Sequence, residues 1–429
     1  MAFDMATAVT PDLKKIGDSA RLASRRLGKL STPLKDQALA NIAEGLVSRQ
    51  AEVLKANAAD VAAGRSDGLT DAVLDRLVIT PEGLEDMADG VKQVQALPDP
   101  LAEMFDARDM PNGLRLGKRR VPLGVICAIY ESRPNVTVDI AALCIKSGNA
   151  TILRGGKEAF NSNSTLAGVI RDAVEAAGLP RDAVQFIEST DRALVGQLLA
   201  MREHIDLVVP RGGAELVRRV AEEATMPAIT GGIGVCHIYV DRAADVEMAL
   251  SIASNAKLSR PYVCNALDTL LVHSAVAPRF LAELAADWKD AGVEVRCDRR
   301  ALTMLGDVAG ANAVAATDND WGKEFLSLTA AIRIVDSIDE ALDHIDAYTS
   351  GHTEAIVTDS YATANRFLDE VDAGVVMVNA STRFNDGGQF GLGAEVGIST
   401  SKLHARGPIG LKELTSYKWT VIGSGQVRT

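Results

Sequence analysis

From Thr10 to about Leu97 apolar residues recur three and four positions apart, as in LKDQALANIAEGLVSRQAEVLKANAADVAAG, with Gly68 and Pro81 as breaks. That period places the apolar side chains on one face of a helix, so the chain is expected to open with an all-helical region. A polar stretch, MPNGLRLGKRRVPLG, follows, in which Asn112-Gly113 has the chemistry of a hairpin turn between two short extended runs. Beyond it, β-branched runs (GVICAIY, ATILRGG, AVQFIE, IDLVVPRGG) alternate with helix-length amphipathic sequence, the pattern of a parallel sheet covered by helices. After VCHIYVD the alternation resumes with LDTLLVH, EVRCD, AIRIVD, EAIVTD and GVVMVN, which predicts a second α/β unit over about 234–380. The remainder is rich in glycine and ends in YKWTVIG, an alternating run suited to an edge strand that joins another sheet, such as that of a second subunit.

A chain of 429 residues is too long for one core, so two or three domains are expected. The net charge of −12 disfavours nucleic acid and anionic membranes, and any anionic ligand then needs a local basic site. Five cysteines, widely spaced and without a CxxC pair, suggest neither a disulfide framework nor zinc. Thiols in a reducing cytoplasm fit better. The N-terminal segment lacks the layout of a secretion signal, and no run of apolar residues reaches membrane-spanning length. GxGxxG after a strand, GxxxxGK[ST], HExxH and GxSxG are all missing, so the common dinucleotide, triphosphate, zincin and hydrolase motifs cannot be invoked.

Candidate chemistry then rests on individual positions. Cys264 lies in ASNAKLSRPYVCNALDTLLVH, between a polar segment with Lys257 and Arg260 and an apolar strand. A cysteine is often only a small buried hydrophobe. A loop position beside cations is also where a thiol becomes a nucleophile, and both readings stand. Cys127, Cys144, Cys236 and Cys297 sit in apolar runs or on a short strand and are expected in the core. In IYESRPNVTVD, Asn135 follows a strand end at the start of a helix, where its amide could bind an oxyanion or simply cap the helix. Arg154, Gly155, Gly156 and Lys157 close the next strand, and suit either a phosphate such as the one that distinguishes NADPH from NADH, or a solvated loop. Gly212 in RGGAEL reads the same way, as a pyrophosphate loop or an ordinary turn. No two of the six histidines have metal-ligand spacing, so no metal is expected.

Taken together, VPLGVICAIYESRPNVTVDIAALCIKSGNATILRGGKE, ITGGIGVCHIYVD, SRPYVCNALDTLLVH, SGHTEAIVTD and VNASTRFNDGGQFGLGAEVGISTSKLHARGPIGLKELT resemble the γ-glutamyl phosphate reductase (glutamate-5-semialdehyde dehydrogenase) family of the aldehyde dehydrogenase superfamily over nearly the whole chain. The resemblance implies an aldehyde dehydrogenase-like α/β fold of two doubly wound parallel domains plus a small oligomerisation element. Residues 1–108 and 123–233 would form the NADPH-binding domain, 234–380 the catalytic domain, and 109–122 with 381–429 the oligomerisation hairpin, glycine-rich loop and C-terminal strand. Cys264 matches the family's nucleophile, Asn135 looks like the oxyanion-binding asparagine, Arg154 and Lys157 like the loop at the adenosine end of the cofactor, and Glu324 in KEFL like the glutamate on the nicotinamide ribose. Hydrolytic members resemble ELGGK where this chain has ITGGIG, so their water-activating glutamate has no counterpart at Ile229.

The implied reaction is the NADPH-dependent reduction of L-glutamyl 5-phosphate to L-glutamate 5-semialdehyde, a step of proline biosynthesis, through a thioester on Cys264. Arg133 and Arg383 are the cations expected to meet the substrate's carboxylate or phosphate. A homo-oligomer in the cytoplasm is expected, with room for a transient contact with glutamate 5-kinase and none for nucleic acid or membrane. Two rivals differ in testable ways: an acyl-CoA reductase would share the fold and the cysteine but prefer another acyl donor, and a non-catalytic α/β binding protein would leave Cys264 unreactive.

Overall fold

The protein is described by a computed structural model covering residues 11–229, 231, 233–306 and 312–428. The first ten residues of the N-terminal segment read above, and Thr230 and Gly232 of ITGGIG, lie outside the described residues. In chain order the helices are α1 (Leu13–Leu27), α2 (Thr32–Ser48), α3 (Gln50–Ser66), α4 (Asp71–Leu77), α5 (Pro81–Ala96), α6 (Asn135–Ser147), α7 (Phe160–Ala176), α8 (Ala193–Leu199), α9 (Ala214–Glu223), α10 (Val246–Leu258), α11 (Ala277–Asp290), α12 (Arg299–Gly306), α13 (Ile338–Tyr348) and α14 (Tyr361–Glu370). The strands are β1 (Met104–Asp109), β2 (Arg115–Pro122), β3 (Val125–Tyr130), β4 (Ala150–Gly155), β5 (Val184–Phe186), β6 (Leu207–Arg211), β7 (Cys236–Val240), β8 (Thr269–His273), β9 (Glu294–Cys297), β10 (Ala313–Ala315), β11 (Thr329–Val335), β12 (Thr353–Val357), β13 (Val375–Val378), β14 (Ile398–Ser399), β15 (Gly407–Pro408) and β16 (Thr415–Ile422). Every strand run quoted from the sequence forms a strand, and the opening region is helical throughout.

Local chemistry explains many of the boundaries. Thr80, Asp245, Ser337 and Ser360 each accept a backbone N–H in the first turn of α5, α10, α13 and α14, satisfying donors a helix start leaves unpaired. Gly148 ends α6 at φ 80°, a left-handed conformation that glycine adopts without steric cost.

The chain divides into two compact units. The first comprises the described residues of Met1–Thr230, Gly391–Gly397 and Ile409–Thr429. Its parallel sheet has the order β5-β4-β3-β6, with β3 and β4 buried along their length, and α2 packs against α5 and α7. Because β4 and β5 lie on one side of β3 and β6 on the other, the connections diverge at the carboxyl ends of β3 and β6, where parallel sheets commonly open a ligand crevice. A separate antiparallel sheet, β1-β2-β16, joins the Asn112-Gly113 hairpin to the C-terminal strand. Gly113 turns that hairpin at φ 83°. Lys118 lies over the rings of Tyr417 (4.5 Å) and Trp419 (4.8 Å), while Val421 and Ile422 of β16 remain exposed.

The second unit comprises the described residues of Gly231–Phe390 and Ile398–Pro408. Its seven-stranded parallel sheet runs β10-β9-β11-β8-β7-β12-β13. Along β7 and β8 alternate residues serve different cores: Ile238, Val240, Leu270 and Val272 pack with Phe280, Leu284 and Trp288, whereas Tyr239 and Leu271 pack with Ile356 and Phe367. A sheet buried on both faces favours nearly continuous apolar runs such as VCHIYV and TLLVH, in which the buried His237 is paired with Glu354 at 2.9 Å. No helix among the described residues is long and apolar enough to cross a membrane.

Candidate active site

In the second unit the loop 259–268 connects α10 to β8 and carries Cys264 at the amino edge of the sheet. Of the five cysteines only Cys264 is not fully buried. Burial pushes the thiols of Cys127, Cys144 and Cys297 up to about 12, and that of Cys236 well above its ordinary value, with the Asp268 and Glu354 charges adding to the burial. The four core thiols are thus poor nucleophiles at neutral pH.

The backbone around Cys264 is tightly enclosed. Gly234, two residues before β7, lies so close that a Cβ there would sit 2.1 Å from the Cys264 carbonyl oxygen and 2.8 Å from its Cβ. The buried Cys236 thiol donates to that same carbonyl at 3.2 Å. On the other side, Asn265 Nδ2 donates to the carbonyls of Asn385 (3.0 Å) and Arg383 (3.4 Å), and Thr382 Oγ1 donates to the Asn265 carbonyl at 2.7 Å. Asn385 is fixed in turn by donating to Thr353 Oγ1 at 2.7 Å. The ASTRFN segment is therefore sewn to the residue next to Cys264, and Arg383 comes with it.

Glu324, sequence-remote from Cys264, enters the same edge: its Oε1 accepts the Gly234 N–H at 3.1 Å, and burial raises its carboxyl. Asp268 stitches the same two segments together, accepting the N–H of Phe325 at 2.9 Å and of Cys236 at 3.4 Å, and burial holds its carboxyl up at about 7. Lys257, read in the sequence as a loop cation beside Cys264, instead points into the core. Its ammonium donates to the Ser327 carbonyl at 3.1 Å, and burial lowers it to about 8 against the opposing pull of Asp268. Sequence reasoning missed Asp268, although a lone carboxylate directly before an apolar strand was the available signal.

In the first unit the loop after β3 brings Glu131, Ser132, Arg133 and Asn135 to the carboxyl edge of the sheet. Ser132 is held at φ 48°, unusual for a residue with a Cβ, by two bonds to Glu158 Oε1, from its N–H (2.6 Å) and its hydroxyl (2.8 Å). Asn135 does not cap α6. It is the first helical residue, exposed, and its amide donates to Asp139 Oδ2 at 3.0 Å, leaving a second amide hydrogen to point elsewhere. Burial raises the Asp139 carboxyl to about 6, opposed by that bond and by Arg211 and reinforced by Glu395. Arg133 is half-buried in the same loop.

Arg154, at the end of β4, is buried and donates to the Thr190 and Asp191 carbonyls (3.3 and 3.4 Å), while Lys157 is exposed with Asp67 at 3.9 Å. After β6, the N–H of Gly213 at the start of α9 donates to the Glu131 carboxylate at 3.0 Å, and a Cβ at Gly212 would meet that carboxylate at 2.4 Å. A helix N-terminus whose N–H groups already hold a carboxylate is chemically suited to an anion. The structure thus assembles Cys264, Arg383 and Glu324 at one sheet edge, and Asn135, Arg133, Arg154, Lys157 and Gly212 at the edge of the other unit.

The profile of the aldehyde dehydrogenase family matches residues 2–318 and 324–420. A protein of Dehalococcoides mccartyi strain CBDB1 called gamma-glutamyl phosphate reductase is 59% identical over 409 residues, covering 95% of this chain and 96% of its own length. One of the same name from Roseiflexus castenholzii is 55% identical over 422 residues, 97% of this chain and 99% of that protein. The crystal structure of gamma-glutamyl phosphate reductase from Thermotoga maritima superposes with a TM-score of 0.94 at 44% identity, over 98% of this chain and all of that one. An acetylating aldehyde dehydrogenase from Geobacillus thermoglucosidasius, at 18% identity and a TM-score of 0.70, shares the fold.

Proposed function

Because the chain belongs to the aldehyde dehydrogenase family and, within it, to the γ-glutamyl phosphate reductases, we propose that it reduces L-glutamyl 5-phosphate to L-glutamate 5-semialdehyde with NADPH, the second step of L-proline biosynthesis. The observation that carries this is Cys264: alone among the five cysteines it is not fully buried, its carbonyl accepts the Cys236 thiol, and the next residue, Asn265, is tied to Asn385 and Thr382.

The Cys264 thiolate attacks the acyl carbon, a C–S bond forms, the C–O bond to phosphate breaks, and phosphate departs. The Asn135 amide and the Cys264 N–H hold the oxygen that becomes negative in this step. Asp139 orients the amide by accepting one of its two hydrogens. NADPH, when bound, supplies the hydride that reduces the acyl group. The sulfur then leaves as a thiolate, for which it is far better suited than a serine oxygen. Ile229, buried and apolar, stands where hydrolytic relatives would carry a base for water, so the thioester is spared hydrolysis. Arg133 and Arg383 meet the substrate's anionic groups.

The residues present suit such a cofactor. Gly212 and Gly156 stand where a Cβ would collide with carboxylates at 2.4 and 2.2 Å, Arg154 keeps a buried Nε without a partner among the described residues, and Glu324 is a carboxylate able to accept ribose hydroxyls. Arg154, Lys157 and the Gly212 backbone would hold the phosphates, and Glu324 the nicotinamide ribose. By the same reading residues 1–108 and 123–233 serve the cofactor, 234–380 the covalent chemistry, and the β1-β2-β16 sheet, with Val421 and Ile422 exposed on its edge strand, assembles a cytoplasmic homo-oligomer. Transient receipt of the acyl phosphate from glutamate 5-kinase is compatible with it.

The test is the reverse reaction, semialdehyde plus NADP giving NADPH, run with and without phosphate. Reduction that requires phosphate is expected, and Cys264→Ala should abolish it while leaving NADPH binding intact. A Cys264→Ala enzyme with near-normal turnover would overturn the covalent scheme.

A further inference from the structure

The group expelled in the proposed reaction is a phosphate carrying up to two negative charges, and it must leave from the carbon attached to the Cys264 sulfur. Resting on that reading, we infer that Arg260 and Arg383, the latter aimed by the Ser259 hydroxyl, form the subsite for the leaving phosphoryl group.

The backbone places Arg383 there. Its own carbonyl and that of Asn385 are bound by the side chain of Asn265, the residue after Cys264, and Thr382 closes the tie from the opposite direction. The guanidinium is then aimed by one bond, Nε to Ser259 Oγ at 3.2 Å, while the Ser259 hydroxyl hydrogen is committed to the Asn255 carbonyl at 2.7 Å. This fixes one side of the fork. The terminal nitrogens of Arg383 meet no hydrogen-bond partner among the described residues, and neither does the exposed Arg260, adjacent to Ser259 in the chain.

The electrostatics favour an anion beside these two cations. Half-burial disfavours the Arg383 charge first and the neighbouring Arg260 cation second, with the Cys264 thiol, Asp386 and the Cys236 thiol acting in its favour. Asp386 has its own task, accepting the Gln389 N–H at 3.1 Å. Two like cations held in one place repel unless an anion sits between them, and a phosphate dianion reverses the sign of that interaction while matching the planar guanidinium forks. The α-carboxylate of a glutamyl group is a weaker candidate: it carries one charge, and two methylenes and the α-carbon separate it from the reacting carbon, whereas the Arg383 backbone is tied to Asn265, the residue next to Cys264.

Two measurements on the full-length enzyme test this, with inorganic phosphate as the probe. In the phosphate-dependent oxidation of the semialdehyde, Arg260→Gln and Arg383→Gln should each raise the KM for phosphate about tenfold or more, as loss of a charge-assisted bond does, with the KM values for semialdehyde and NADP nearly unchanged. Lysine at either position should restore part of the loss. Independently of turnover, phosphate should protect Cys264 from alkylation by iodoacetamide, and the half-protecting concentration should rise in both variants. If Arg383→Gln does not fold, Arg260→Gln, which removes no protein hydrogen bond, carries both measurements. A normal phosphate KM, or a rise confined to the semialdehyde KM, overturns the subsite. Protection that depends on Arg260 in an enzyme without phosphate-dependent turnover would instead uphold the subsite and sink the proposed reaction.

Discussion

The two parallel sheets of this protein present their candidate residues at opposite ends of their strands. In the first unit Glu131 and Asn135 follow β3, Arg154 stands at the end of β4 and Gly212 follows β6, at the carboxyl edge, where each connection runs from a strand into a helix. A helix start leaves backbone N–H groups that can hold an anion without any particular side chain, as Gly213 does with Glu131 at the start of α9. In the second unit Gly234, Cys264 and Glu324 precede β7, β8 and β11, at the amino edge, where the N–H groups of Gly234 and Phe325 are already taken by the carboxylates of Glu324 and Asp268. Position there is set by side chains: Asn265, Asp268, Thr382 and Glu324 each bind backbone of another segment. The carboxyl edge is a general anion holder, whereas the amino edge is a custom mount for one sulfur. The first should tolerate substitution that the second does not.

Four substitutions, from the largest expected effect to the smallest, probe that contrast. Cys264→Ser should lower kcat by about a thousandfold or more, because members of a covalent catalytic unit are not additive contributors, and single-turnover assays would read it. Gly234→Ala forces a methyl against the Cys264 carbonyl, which is backbone and cannot swing aside. A displaced nucleophile is expected to cost about a hundredfold in kcat, with a drop in Tm, and near-normal activity would mean that the amino edge is less rigid than described. Gly212→Ala meets only the far ends of Glu131 and Leu216, both flexible, so the Kd for NADPH should rise only about threefold to tenfold (roughly 1 kcal/mol) with kcat preserved. Equal losses in the two glycine variants would erase the distinction between the edges.

The smallest effect concerns pH. Burial holds the Asp268 carboxyl at about 7, above its ordinary 3.8, so the fold favours its protonated form. The stability associated with that proton is complete below about pH 4 and is lost as the pH rises through about 7. Asp268→Asn cannot ionise. Whatever its constant cost from the altered hydrogen bonds, its Tm relative to the parent should improve between pH 5 and pH 8, by a few degrees in thermal melts. A gap that stays constant or widens over that interval would show that Asp268 is ionised throughout.

Much of this is legible in the sequence alone. The helical entry, the hairpin at Asn112-Gly113 and the strand runs of both sheets follow from periodicity and turn chemistry, which act over a few neighbouring residues. The setting of Cys264 between a polar loop and an apolar strand was equally local. The pairing of β16 with β2 lay outside the reach of periodicity, since strands some 300 residues apart leave no mutual mark in a single sequence; the alternation of YKWTVIG predicted an edge strand, and only the family resemblance grouped it with the hairpin at 109–122. Lys257 illustrates a different failure. Its place beside polar residues suggested a loop cation, but it is the last turn of α10 that decides its direction, and that turn faces the Ser327 carbonyl rather than the sulfur.

By itself, then, the order of residues determined the elements, the two α/β alternations and the one thiol placed in a loop, because each depends on contacts within a turn or a strand. Tertiary structure alone decided that Asn265 would carry Arg383 to the nucleophile, that Glu324 and Asp268 would clasp the same pair of segments, and that Asn135 would lean on Asp139 instead of capping its helix. Hydrogen bonds of this kind join groups brought together by the packing of whole sheets and helices, and their partners are chosen by three-dimensional proximity, which spacing along the chain does not encode.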